Sequence, residues 1–319
     1  MVLLRICTNA PTFFRMCIPS LRSAVFLAAS LACAPHAFAQ GAAADPAAVL
    51  HTQYVALTQA LALSTIQPGL HVVSNDSSRA PRGDAYAVIN YPFATVAAAF
   101  TTPAILCEPL ILHLNVQYCR DASGEQPALS VALGKKTNQA LEDTHRIKLL
   151  FNVAASSADF MRVELTADKG PLGTGNYLIA LELIALDREH SFMHIRYSYT
   201  QGFMARVATS IYFATSGRDK VGFTLVKDDA DEPPHLVGGI RGALERNTMR
   251  YYLAFDAYLQ TLDQPKPLRF EQSIERWFAE TERFARQLHE VKRDAYLTMK
   301  RGQYLRQQIA RWDADISAN

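Results

Sequence analysis

Phe192-Met-His-Ile-Arg-Tyr-Ser-Tyr199 decides the fold. Its side chains read with a period of two, as a β-strand does. Phe192, His194, Arg196 and Ser198 fall on one face, and Met193, Ile195, Tyr197 and Tyr199 on the other. Met161-Arg-Val-Glu-Leu165 alternates in the same way, with Met161, Val163 and Leu165 on its apolar side. Further runs read as strands at Leu129–Leu133, Arg146–Val153, Asp159–Ala167, Tyr177–Leu186, Val207–Ala214 and Val221–Val226. Turn residues separate them at 135–138, 170–176, 187–190 and 216–219. Strands in succession joined by short turns predict an antiparallel meander.

Upstream, a helix is expected from Pro46 to Ser64, ended by Pro68-Gly69. Leu70–Ser74 and Asp84–Tyr91 read as a hairpin, followed by a short helix over Phe93–Phe100. Ile105–Leu114 is apolar and open between helix and strand, because short apolar runs have no decisive period. Downstream, Gly239–Leu262 reads as a long helix with Leu244, Thr248, Tyr251, Tyr252, Phe255, Leu259 and Leu262 on one face. Gln264-Pro-Lys-Pro267 reads as a linker. A last helix is expected from Phe270 towards Arg311, with a stripe near heptad spacing through Ile274, Trp277, Phe284 and Leu288.

The N-terminus carries Arg5, Arg15 and Arg22 with no acidic residue, then the apolar run 23–34, too short to anchor in a bilayer. Ala37-Phe38-Ala39 is a small-x-small cleavage site. Residues 1–39 therefore read as a signal peptide cut after Ala39, which places the mature chain in the periplasm or outside the cell. The start codon stays open between Met1 and Met16. About 280 residues remain, long for one domain, with no second apolar run of membrane-spanning length, so the mature chain is expected to be soluble.

Removal of the leader changes the charge count from 32 basic and 30 acidic residues to 29 and 30, which gives no reason to expect nucleic acid as a partner. It also takes away Cys7, Cys17 and Cys33. Cys107 and Cys119 remain, and in an oxidising compartment they are expected to form a disulfide.

The order of elements is a hairpin, short helices, an antiparallel meander and a long helix. It resembles the START-like (SRPBCC) superfamily over roughly residues 69–262, carried by Gly83-Asp-Ala-Tyr-Ala-Val-Ile-Asn-Tyr-Pro-Phe-Ala-Thr-Val-Ala97, the strands from 146 to 226, and Gly239–Leu262. The resemblance implies an α+β helix-grip fold, a curved antiparallel sheet gripping a long C-terminal helix, here with an additional C-terminal helix. The chain then divides into the leader 1–39, a helical segment 40–68, the ligand-binding domain 69–262, and a linker with an amphipathic helix over 263–319. It also implies an internal cavity for a hydrophobic, lipid-like ligand.

His194 and Arg196 share a strand face, where they are candidates to hold a polar group of that ligand. Tyr197, Tyr199, Tyr252 and Phe255 are candidates for an aromatic wall, with Tyr251 beside them. Each also has a bland reading, as surface polar residues and as plain core. No GxSxG, HExxH or CxxC occurs, and Gly170–Gly175 lacks the Lys-Ser/Thr of a phosphate loop, so no catalytic residue, metal or cofactor is expected. The favoured function is an exported carrier of a hydrophobic ligand. A cavity-based hydrolase or cyclase and an envelope interaction protein stay open. The final helix could pack on its own domain, pair as a coiled coil, or meet a membrane surface.

Overall fold

Asp45 starts the first helix by accepting the Ala47 N–H at 3.1 Å, with Pro46 at the first helical position, where its missing N–H costs nothing. This computed structural model describes residues 45–75, 81–122, 124–215, 217–229 and 231–318. The expected leader 1–39, its cleavage site and residues 40–44 lie outside the described residues.

Helix α1 (Pro46–Ala62) leads through a turn at Gly69, whose φ of 81° favours glycine, into strands β1 (Leu70–Asn75) and β2 (Arg82–Ile89). Helices α2 (Phe93–Ala98) and α3 (Pro103–Leu110) carry the chain to the far edge of the sheet. Six strands return in order: β3 (Val116–Asp121), β4 (Ala128–Leu133), β5 (His145–Ser156), β6 (Phe160–Lys169), β7 (Thr174–Ala185) and β8 (Ser191–Gln201). After α4 (Phe203–Ala214), β9 (Leu225–Val226) and β10 (His235–Leu236) comes α5 (Gly239–Leu259), the long helix. A helical C-terminus follows: α6 (Lys266–Glu282), α7 (Ala285–Leu288) and α8 (Arg293–Ala318). Residues from Ala44 onward form one compact unit.

The sheet order is β1-β2-β8-β7-β6-β5-β4-β3, every neighbour antiparallel. The decisive strand β8 pairs on one side with β7 and on the other with β2, from Arg82↔Ser198 to Ile89↔Ser191. Helix α5 lies on the inner face over β1, β2 and β8. Helix α1 covers the outer face, where Leu50 and Leu61 join Tyr86, Phe160, Ile184 and Phe192 in a second core. This is the expected α+β helix-grip architecture.

Two contacts fix α5. A Cβ on Gly83 of β2 would lie 2.9 Å from the Leu244 carbonyl oxygen and closer still to Thr248 Oγ1, so the helix rests directly on strand backbone. Glu245, fully buried, accepts from Ser74 Oγ (2.6 Å), Phe223 N (2.6 Å), Thr224 N (2.9 Å) and Thr224 Oγ1 (2.8 Å). It ties β1 and the loop before β9 to the helix.

Four sequence expectations change. Val207–Ala214 belongs to a helix, α4, because β8 already has neighbours on both sides and a further strand would have no open edge beside it. The strand expected at Val221–Val226 shrinks to Leu225–Val226. Val116–Asp121, overlooked beside the ambiguous apolar run, is an edge strand, and the run itself begins as helix α3. The last helix is broken after Glu282, with no proline or glycine at the break. Glu290 draws the connection inward by pairing with Arg250 (2.9 Å), Lys136 (2.6 Å) and Lys220 (3.6 Å).

Helix α8 then seals the exposed edge of β3 with side chains. Gln307 Oε1 accepts the Cys119 N–H at 3.1 Å, and Gln303 Nε2 donates to Gln117 Oε1 at 2.6 Å. Lys300, fully buried, donates to the His113 and Val116 carbonyls at 2.7 and 3.0 Å. The expected Cys107–Cys119 disulfide is present and ties α3 to β3.

Two outcomes are expected in urea unfolding. The double variant C107S/C119S should lose about 3 kcal/mol, the loop entropy of a bridge spanning 12 residues. Gly83→Ala should lose about 1–3 kcal/mol, because the added methyl has to push α5 off β2.

Candidate functional site

The period of two in β8 sends its two sets of side chains to different environments. On the outer face, register places Tyr86 of β2 and Glu182 of β7 on either side of His194, and Asp84 opposite Arg196. His194 is 1% exposed. Its Nε2 lies 2.8 Å from Asp84 Oδ1, its Nδ1 lies 2.7 Å from Glu182 Oε2, and its ring stacks on Tyr86 with centroids 4.4 Å apart. Ionised carboxylates only accept, so both contacts are satisfied when the ring carries both protons.

Three arginines complete the cluster. Arg196 Nε donates to Asp84 at 2.9 Å, Arg82 Nε to Asp84 at 3.1 Å, and Arg162 to Glu182 at 2.7 Å. Burial pushes the Asp84 and Glu182 carboxyls up. Their bonds to His194 and the charges of His194 and the nearby arginines outweigh that and hold both below the usual range. Helix α1 roofs the cluster, with Gln53 Nε2 donating to the Tyr86 hydroxyl at 2.7 Å. His194 and Arg196 share a strand face, but within an ion-pair network on the outer side, away from the space between sheet and helix where a ligand group was expected to meet them.

On the inner face, aromatic rings run from the sheet towards α5. Tyr177 stacks on Tyr199 (5.5 Å between centroids), Tyr199 neighbours Tyr197 (5.7 Å), Tyr197 meets Tyr251 (5.4 Å), and Tyr251 stacks on His113 (4.8 Å). Burial raises the Tyr197 and Tyr251 hydroxyls and pushes Tyr199 up to about 12, so all three stay neutral donors. At the end of the row is a void of about 30 Å³ lined by aliphatic side chains, among them Leu110, Val131, Ile147 and Ile179, with Tyr251 beside them. That is room for about one water, against roughly 300–1,000 Å³ for a small-molecule pocket. The void beside Tyr251 is thus far smaller than the ligand-sized cavity that was expected.

Tyr252 and Phe255 lie elsewhere on α5. Phe255 is packed edge-on against Phe100 at 5.2 Å, and burial raises the Tyr252 hydroxyl, which bonds to Gln67 before β1. Of the six nominated residues, Tyr197 and Tyr199 therefore adjoin one another, His194 and Arg196 form a separate pair, and Tyr252 and Phe255 sit in helix packing. Asp84 and Glu182 were missed. Their signal was a lone acid inside an otherwise apolar strand, at the parity opposite the core positions. Among the described residues no group of three His, Cys, Asp or Glu side chains is arranged to hold a metal ion.

No protein-family model matches the chain, and no curated protein is similar to it at a significant level. Solved structures similar to it include a conserved protein of unknown function from Enterococcus faecalis, at 9% identity over 72% of this chain and 98% of the other, with a TM-score of 0.34. A START superfamily protein from Mycobacterium smegmatis is 6% identical over 42% of this chain and 88% of the other (TM-score 0.29). A truncated norcoclaurine synthase from Thalictrum flavum is 10% identical over 46% and 86% (TM-score 0.30). The α+β helix-grip architecture itself rests on this chain's strand order and on the helix seated against it.

The depressed carboxyls give stability that is present above their ordinary range, about pH 4, and lost as pH falls through it. The thermal midpoint should therefore drop between about pH 5 and 3. His194→Gln should cost about 3 kcal/mol at neutral pH, by leaving two largely buried carboxylates short of a partner, and should flatten that acid limb.

Proposed function

We propose that this chain is an exported, non-catalytic binding protein that takes up a small hydrophobic, lipid-like ligand between the sheet and α5. The observation that carries the reading is the link between the tyrosine row and an exposed apolar helix. Gln201 Nε2 donates both to the Tyr199 hydroxyl (3.4 Å) and to Thr209 Oγ1 of α4 (3.0 Å). Helix α4 exposes Val207 and Ile211, and the adjoining turn before β7 exposes Leu172. An apolar entrance next to a row of rings suits a ligand that arrives from an apolar phase. Uptake into the void beside Tyr251 then requires the rings to swing aside, since about 30 Å³ has no room for it.

Two features support a location outside the cytoplasm: the N-terminal run with its Ala37-Phe-Ala39 site, and the Cys107–Cys119 disulfide. A carrier is favoured over an enzyme because Tyr251 is the only titratable side chain among those lining the void, so no acid–base pair converges there. It is favoured over an interaction protein acting through the last helix because Tyr296, Lys300, Gln303 and Gln307 of α8 are occupied by the chain's own β3 edge.

The test uses the protein recovered from the periplasmic fraction of an expressing bacterium. The expected result is an N-terminus at Gln40, lipid-like mass retained in native mass spectrometry, and a rise in fluorescence of the neutral probe N-phenyl-1-naphthylamine on mixing. The double variant V207D/I211D should slow probe uptake by about tenfold or more. Protein that carries no ligand and leaves the neutral probe dark would remove the carrier reading.

A further inference from the structure

A second concavity lies outside the helix grip. It is a cleft of about 700 Å³ bounded by α3, the start of α6, α8 and the sheet edge. The register Tyr118↔Ala132, Arg120↔Ser130 and Ala132↔Arg146 puts Tyr118, Arg120 and Arg146 on one sheet face, the one turned away from the interior void. Lys266 and Arg306 reach the same space from the helices. Four cations therefore border the cleft, against two acids, Glu108 and Asp121. Of these, Glu108 already has Arg269 Nη1 at 3.7 Å and Asp121 has a partner of its own.

Arg306 is the telling residue. Its Nη1 reaches the Gln139 carbonyl at the limit of hydrogen bonding, 3.5 Å, while Nε and Nη2 are buried with no hydrogen-bond partner. A guanidinium presents a rigid fork of donors, and buried donors are nearly always satisfied. Arg306 itself is part of the lining of the cleft, which three more cations border. The other walls include Ile105, Tyr118 and Leu141, which offer contact to an apolar body.

We infer that this cleft binds an organic anion, its carboxylate, phosphate or sulfonate head held by Arg306 with Arg120 and Arg146, and its apolar part lying on Ile105, Tyr118 and Leu141. The site is independent of the interior that the carrier reading uses, because no residue lines both.

The test compares two probes that share an aromatic body and differ in charge: the sulfonate 8-anilinonaphthalene-1-sulfonate and the neutral N-phenyl-1-naphthylamine. The wild-type mature chain should bind the sulfonate, and more weakly as salt rises. Arg306→Met keeps the apolar stem and removes the unsatisfied donors, so it should fold at least as stably as wild type. It should bind the sulfonate about fivefold or more weakly and leave the neutral probe unchanged. R120Q/R146Q, which alters two exposed side chains, should show the same selective loss and keeps the test open if Arg306→Met fails to fold. A wild-type chain that does not bind the sulfonate, a smaller loss in the variants, or an equal loss for both probes would overturn the inference. The first outcome would mean that water alone fills the cleft, and the last that it offers only apolar surface.

Discussion

Helix α5 rests on strand β2 at a separation that only a glycine permits, and the remaining architecture follows from it. With Gly83 under the Leu244 carbonyl and Thr248, the helix lies against the sheet at that end. Glu245 locks the approach with four accepted hydrogen bonds, so a buried carboxylate that would otherwise be costly becomes the anchor of β1 and of the loop before β9. Farther along, Tyr251 meets Tyr197 and His113, and the void beside it measures about 30 Å³. Movement of side chains costs least at the far end of the row, near α4, since packing there is exposed.

The same strand that supplies the tyrosines also supplies a buried ionic layer. His194 stands between Asp84 and Glu182 beneath α1, with Arg196 and Arg162 donating to the same two carboxylates. Such networks add little net stability over an apolar core, but losing one member is costly, because the others stay buried without it. In geometric terms the layer fixes the register of β2, β8 and β7 at three consecutive strands. A one-residue slip would send all these groups into the tyrosine core.

The C-terminal helices serve the opposite edge. By giving β3 side-chain partners in place of a ninth strand, α8 removes an exposed edge that would otherwise invite pairing with another chain. Lys300 is buried there among neutral oxygens, and burial depresses its ammonium well below the ordinary lysine range. Closing the edge with a helix leaves the wide, basic cleft beneath it.

Strand periodicity was legible because it is local. Phe192–Tyr199 and Met161–Leu165 declare their two faces through a period of two, the long helix declares its apolar stripe, and Cys107 and Cys119 pair as expected. What periodicity leaves undecided is which face turns inward, and only the packing of α1 on one side and α5 on the other settled that for His194 and Tyr197. The helix at 203–214 and the break after Glu282 were likewise beyond local reading: the first follows from a sheet with no free edge beside β8, the second from Glu290 reaching Arg250 and Lys136. The sequence by itself determined most of the strands and the long helix, since these depend on neighbours along the chain, and it carried the helix-grip class as a resemblance. The tertiary structure alone decided that the void beside Tyr251 holds only about 30 Å³ and that Arg306, with two buried unpartnered nitrogens, lines a basic cleft, because both depend on distances between residues far apart in sequence.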